Sequence, residues 1–176
     1  SNLVACALFG DGGAAAVLRS GADSAVTIGA AGEHCWPDTL GVMGWDVDSG
    51  GLDVIFKQSI PEIVARDYPG ALDAFLDGAG IAHVNVDRPC CHPGGAKVVD
   101  ALEDVLGYAR GGLDAERKVL RENGNMSAPT VLFVLEELLK RGESGALLLS
   151  SLGPGFTAAF QMVHVAAPAG IEASRA

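Results

Sequence analysis

His92 lies in the stretch Arg88-Pro-Cys-Cys-His-Pro-Gly-Gly-Ala-Lys-Val-Val-Asp100, between an apolar run (Ile81 to Val86) and an amphipathic one (Lys97 to Leu106). A histidine on a Pro-Gly-Gly turn between strand and helix is where an α/β protein fixes a side chain toward a site. Gly94 and Gly95 leave room for a backbone or ligand to approach, and the helix that follows presents free N–H groups. Gly124-Asn-Met-Ser127 repeats the arrangement: a tight turn, a polar side chain, then an apolar helix. His92 and Asn125 thus form a donor pair suited to a thioester carbonyl, where negative charge builds on oxygen. Each also has a plainer reading. A lone turn histidine is commonly just satisfied, and Asn after Gly fits a left-handed or N-cap turn.

The elements that must position this pair read as follows. Leu3 to Phe9 is a strand-like apolar run, broken by Gly10-Asp-Gly-Gly13, and Ala14 to Leu18 resumes as strand. That glycine turn lacks both GxGxxG and Walker spacing, so it reads as close backbone packing rather than a phosphate loop. Ala25 to Ile28 is a short strand, and Glu33 to Asp48, with Trp36 and Trp45, is irregular and placed to line a pocket. Ser59 to Leu76 reads as helix, with Pro61 in its first turn and Pro69 expected to kink or split it. Ile81 to Val86 is a strand, Leu113 to Glu122 a charged helix, and Ser127 to Leu139 a helix ended near Gly142. Ala146 to Ser150 and Phe156 to Val165 are strands joined by Gly153-Pro-Gly155, and Ala166 to Ala176 reads as a frayed tail.

The 176 residues make one domain's worth of chain, and 49% hydrophobic residues with 24 Gly fit packed α/β layers. A net charge of −10 argues against nucleic acid or an anionic membrane surface as partner, since no basic patch exists to release counterions. No apolar run approaches the length of a membrane span. The four cysteines (Cys6, Cys35, Cys90, Cys91) fit neither a CxxC metal site nor a disulfide framework, which points to a reduced, cytoplasmic protein. The opening Ser1-Asn-Leu-Val, without initiator Met or leader, leads us to expect a piece of a longer chain.

His92-Pro-Gly-Gly95, Gly124-Asn-Met-Ser127 followed by Val131-Leu-Phe-Val134, Gly153-Pro-Gly155 and Leu8-Phe-Gly-Asp-Gly12 together closely resemble the type III polyketide synthases, the chalcone and stilbene synthase family. The resemblance runs through nearly the whole chain and maps to the C-terminal half of that family. It implies an α/β, thiolase-like fold, of which residues 1–176 form one half: a mixed sheet flanked by helices. It implies too that the half carrying the family's nucleophilic Cys lies outside these residues.

The same resemblance implies a Cys-His-Asn triad in which the His is His92 and the Asn is Asn125. Phe9 matches a gatekeeper of the cyclisation cavity, and Val54 stands where the other gatekeeper aligns, leaving a wider passage. Ser127 matches a residue near the catalytic surface, and Gly153-Pro154-Gly155 a loop that shapes the cavity wall. Gly94 and Gly95 are where CoA or backbone would come close. Cys90 and Cys91 are read as structural. Trp36-Pro-Asp-Thr-Leu40, Met43-Gly-Trp-Asp46 and Val54-Ile-Phe56 are most similar to bacterial alkylresorcinol or alkylpyrone synthases, which take fatty-acyl starters.

The implied activity is decarboxylative Claisen condensation of an acyl-CoA starter with malonyl-CoA, then cyclisation. It calls for no cofactor or metal beyond the CoA substrates, in a cytoplasmic homodimer, and this piece alone would be inactive. A ketoacyl synthase of the fatty-acid initiation type is the nearest rival. Its usual Gln-Ala-Asn after the His and Thr in the Asn turn are replaced here by Pro93-Gly94-Gly95 and Met126. A non-catalytic fragment that folds and dimerises without turnover is the reading from a different class.

Overall fold

The computed structural model describes residues 2–21 and 24–167. Along the chain come α1 (Asn2–Leu8), β1 (Val26–Cys35), β2 (Met43–Asp48), β3 (Gly51–Phe56), α2 (Ile60–Ala79) and β4 (Arg88–Cys91). They are followed by α3 (Ala96–Val105), α4 (Asp114–Asn123), α5 (Pro129–Lys140), β5 (Gly145–Gly153) and β6 (Thr157–Val165). Four strands form a mixed sheet in the order β1-β6-β5-β4, with only the β4–β5 pair parallel, while β2 and β3 make a separate hairpin. This is the mixed sheet flanked by helices that the sequence implies.

The leucine run of β5 shows how the layers are specified. Side chains alternate along a strand, so a strand buried on both faces reads as a continuous apolar run. Leu148 joins the core packed by α2 and α3, whereas Leu147 and Leu149 join the one packed by α5. On the neighbouring strand Cys91 and Cys90 divide in the same way. The two cysteines preceding His92 are therefore small core side chains on opposite faces of the sheet.

Helix α2 runs through Pro69 without interruption, where a kink or split was expected. Interior proline costs about 3 kcal/mol, and the buried stripe Ile60, Val64, Tyr68, Ala71, Leu72 and Leu76 outweighs it. Three strand expectations fail. Leu3 to Phe9 is mainly the helix α1, since a short apolar run does not by itself separate helix from strand. Ala14 to Leu18 forms no strand: Val17 and Leu18 are exposed, and among the described residues no neighbouring strand offers a ladder. Ile81 to Val86 holds only a 3₁₀ turn at His83–Asn85, and the strand lies further on, at Arg88–Cys91. The stretch read as irregular contains the end of β1 and all of β2. Of the tail, residues 168–176 lie outside the described residues.

Glu103 on α3 organises the turn into α4. Its buried carboxylate accepts hydrogen bonds from Gly111 N and Leu113 N and two from the Arg117 guanidinium. Arg117 first, then those backbone donors, overcome burial and hold the carboxyl down at about 2 from its usual 4.5. A depressed carboxyl contributes stability above its unfolded pKa that is lost as pH falls through the folded one. Urea midpoints should therefore fall between pH 4.5 and 2, and Glu103→Gln should flatten that fall while lowering the midpoint at pH 7. A slope in this window unchanged by Glu103→Gln would assign the acid sensitivity elsewhere.

Candidate active site

His92 follows directly on β4. Its backbone N–H donates to Ser150 O at 2.7 Å, closing the last pair of the β4–β5 ladder, and its carbonyl accepts from Gly94 N. The edge of β4 away from β5 faces α4, where the buried Glu116 carboxylate accepts from Cys91 N at 3.1 Å and from Arg88 at 3.1 Å. Arg88 in turn donates to Gly112 O and lies over the Tyr108 ring. From the other layer, Tyr68 of α2 donates to Ser150 Oγ, which donates to Cys91 Sγ. Both edges and both faces of the strand that ends at His92 are thus held.

The imidazole is buried, and burial lowers its pKa from 6.5 to about 4. It is neutral at pH 7, with one proton for two nitrogens. Nδ1 is sealed from solvent without a hydrogen-bond partner. We place the proton on Nε2, because an N–H with nothing to donate to is the costlier orphan.

Asn125 lies across from it. Its backbone N–H donates to Leu8 O and its carbonyl accepts from Gly10 N, so the chain after α1 forms a parallel bridge between Phe9 and Asn125. Gly124 is required here: its φ is 72°, and a Cβ would stand 3.0 Å from Leu8 O. The buried amide is oriented by its own turn, since Oδ1 accepts from Ser127 N at 2.8 Å. Nδ2 must then face the other way, and it donates one N–H to Gly94 O at 3.1 Å. The second N–H has no acceptor among the described residues. Thr130 closes the turn, accepting from Met126 N and donating to Ser127 O.

His92 and Asn125 line one cavity of about 290 Å³, together with Phe9, Val54, Gly94, Ser127, Gly153 and Pro154. Among the described residues no Asp, Glu, Lys or Arg lines it. Two of the expected positions fall elsewhere. Gly155 stands behind the wall, its N–H directed at Met43 O, and Gly95 lines a neighbouring cleft of about 680 Å³, mainly apolar but carrying Lys57, Gln58 and Lys97. A Cβ at Gly94 or Gly95 would meet neighbours only at ordinary contact distances of 3.8 Å or more, so the chain's own packing leaves the room beside them unused. Met43 and Trp45, from the stretch expected to line a pocket, do line it, and Phe56, Ala128, Ser151 and Leu152 join the lining without that expectation. The alternation Met43, Trp45, Val47 and Leu52, Val54, Phe56 around Ser49-Gly50-Gly51 was the available signal for a hairpin.

All four cysteines lie among the described residues, and none lines this cavity. Cys6 and Cys35 are exposed elsewhere, while burial pushes the Cys90 thiol well up and the Cys91 thiol to about 12. Neither buried thiol forms a thiolate near neutrality.

Residues 27–166 match the family described as chalcone and stilbene synthases, C-terminal domain. This chain belongs to that family. A 1,3,6,8-tetrahydroxynaphthalene synthase of Streptomyces peucetius subsp. caesius is 38% identical over 174 residues, covering 93% of this chain and 46% of the relative. A provisionally named chalcone synthase of Bacillus subtilis (strain 168) is 36% identical over 168 residues, 89% of this chain and 46% of the relative. The chain thus spans about half the length of these curated relatives, as the C-terminal domain of a type III polyketide synthase. In fold it is similar to a polyketide synthase crystal structure from the brown alga Ectocarpus siliculosus, with TM-score 0.71 at 24% identity over 80% of this chain and 39% of that one. Among the described residues no helix is long and apolar enough to cross a membrane.

The domain's histidine should titrate as its burial dictates. In an NMR titration the His92 ring, assigned by difference with His92→Gln, should show a midpoint near 4. Because the folded pKa lies below the unfolded one, this group destabilises the fold as pH drops from 6.5 toward 4. A His92 midpoint at or above 6.5 would mean that the ring is solvated or paired with an anion.

Proposed function

We propose that this domain supplies the histidine and asparagine of a condensing enzyme that joins an acyl-CoA starter to malonyl-CoA, the cysteine coming from sequence outside these 176 residues. The observation that carries this reading is the convergence of His92 and the orientation-locked Asn125 amide on one cavity with no charged lining. In such surroundings two preorganised donors act on a developing oxyanion far more strongly than in water.

The acyl group passes from CoA to the cysteine thiolate, and CoA leaves as a thiolate that takes up the proton of the His92 imidazolium paired with the cysteine. Malonyl-CoA then binds with its thioester oxygen facing Asn125 Nδ2 and His92 Nε2. The bond from its α-carbon to the carboxylate breaks, carbon dioxide leaves, and the electron pair becomes an enolate held by the two donors. The enolate carbon attacks the acyl thioester, expelling the cysteine thiolate, and rounds of extension precede cyclisation. A thiolate beside His92 opposes the effect of burial and raises the imidazole pKa, so the same ring serves both half-reactions. On the family resemblance the reading extends to a homodimer in the cytoplasm, using CoA thioesters and no further cofactor.

Two observations bear on the product. The small Val54 side chain stands between the cavity and the mainly apolar 680 Å³ cleft, whose lining also includes Lys57, Gln58 and Lys97, and its size supports a fatty-acyl starter and an alkylresorcinol or alkylpyrone product. The names of the two bacterial relatives support a naphthalene- or chalcone-type product instead. Incubating the full-length enzyme with malonyl-CoA, with and without a long-chain acyl-CoA, separates these by product mass.

Asn125→Ala in the full-length protein should lower malonyl-CoA decarboxylation on the order of 10²–10³-fold, or about 3–4 kcal/mol, while acyl-enzyme still forms. His92→Ala should damage both steps, because it removes a donor and the partner of the thiolate. The measurements are carbon dioxide release and the mass of the intact acylated enzyme. Should Asn125→Ala decarboxylate within a few-fold of the parent, Asn125 is a turn residue only.

A further inference from the structure

The catalytic geometry makes no use of the stretch Trp36-Pro-Asp-Thr-Leu40. Thr39 does not line the cavity. Its hydroxyl nevertheless meets three backbone groups from two segments. It accepts from Phe156 N at 2.6 Å, and its single proton is shared between Gly155 O at 2.8 Å and Trp36 O at 2.5 Å. Both polar groups of the Gly155–Phe156 peptide therefore end on one side chain.

Backbone bonds carry this junction to the cavity walls. Trp36 N donates to Phe156 O at 3.0 Å, and the Trp36 ring stacks on the buried Phe156 ring at 5.3 Å. Gly155 N faces Met43 O at 3.4 Å, at the start of β2. The carbonyl of Thr39 accepts from Val42 N, and Val42 O accepts from Lys57 N just beyond β3. One wall of the cavity is Gly153 and Pro154, and another is the hairpin with Met43, Trp45 and Val54. Thr39 is the side chain that ties the first to the root of the second.

From this geometry we infer that Thr39 is a positioning residue that fixes the separation of these two walls, and so selects the length and fold of the intermediate the cavity accepts. This rests on the condensing function proposed above. It assigns Thr39 no contact with substrate. The cavity is small enough that a slight displacement of Gly153-Pro154 changes what fits, whereas His92 and Asn125 are held by separate bonds to Ser150, Gly94 and Ser127.

The test uses the full-length enzyme with Thr39→Val, which replaces the hydroxyl by a methyl of similar volume, and Thr39→Ser, which keeps the hydroxyl. Two quantities are read: hydrogen exchange in the segment holding the Phe156 amide, and the ratio of products of different extension length or ring closure. Thr39→Val should speed that exchange by about tenfold or more, the worth of one lost hydrogen bond, and shift the product ratio, with decarboxylation within a few-fold of the parent. Thr39→Ser should restore both.

An unchanged product ratio in Thr39→Val overturns the inference, as does a Thr39→Ser enzyme whose products shift as far as those of the valine variant. If Thr39→Val does not fold, Thr39→Ala is read by the same two measurements, and an unaltered product ratio there overturns the inference equally. A parent enzyme that releases no carbon dioxide from malonyl-CoA rejects the condensing function, and with it the selective role of Thr39. The exchange measurement still reports the tether in that case, so the two failures are distinguishable.

Discussion

The bond from His92 N to Ser150 O is the constraint on which the rest of the site depends. Strand β4 has four residues and stands at the end of the sheet, with β5 on one side only. So short a strand holds its last residue in register only if its outer edge is also satisfied, and Glu116 supplies that acceptor at Cys91 N. Burial pushes the Glu116 carboxyl up, while Arg88 opposes the shift. A buried ion pair of this kind adds little net stability, whereas removing one partner costs about 3–5 kcal/mol. The Arg88–Glu116 pair is therefore better understood as fixing where β4 ends than as strengthening the fold.

Asn125 is reached by a different route. The segment after α1 pairs with the turn following α4, and the glycine at 124 lets those backbones meet. The two donors thus belong to separate hydrogen-bonded systems, one in the sheet and one in the turn, joined where Asn125 Nδ2 meets Gly94 O. Neither side chain relies on a charged neighbour for its orientation. The lining stays uncharged, and the depressed His92 pKa is the titration behaviour of a buried ring that faces no anion among the described residues.

Much of this was legible in the residues, and the failures share a cause. The helices that follow both turns, α3 and α5, are legible because each couples a local signal to the fold: a tight turn, then a helical stripe. The strand preceding His92 was set too early because Ile81 to Val86 looks more strand-like than Arg-Pro-Cys-Cys, and only pairing with β5 makes the latter a strand. Ala14 to Leu18 fails for the converse reason, having strand-like sequence without a neighbour among the described residues. Pro69 was overruled by the buried face of α2. Thr39 and Glu116 were invisible, because the backbone groups they tie down, at Gly155–Phe156 and at Cys91, lie far away in sequence, and one chain gives no local trace of such bonds.

Phe9, Val54 and Phe56 line both the cavity that holds His92 and the larger apolar cleft beside it. They form a partition rather than a wall, so the two spaces share a boundary and cannot be resized independently. A bulkier residue at 54 narrows both chambers or pushes into one of them, and a smaller one at 9 merges them. Divergence of this domain toward new substrates is therefore steered along a trade-off: volume gained on one side of the partition alters what the other side can hold.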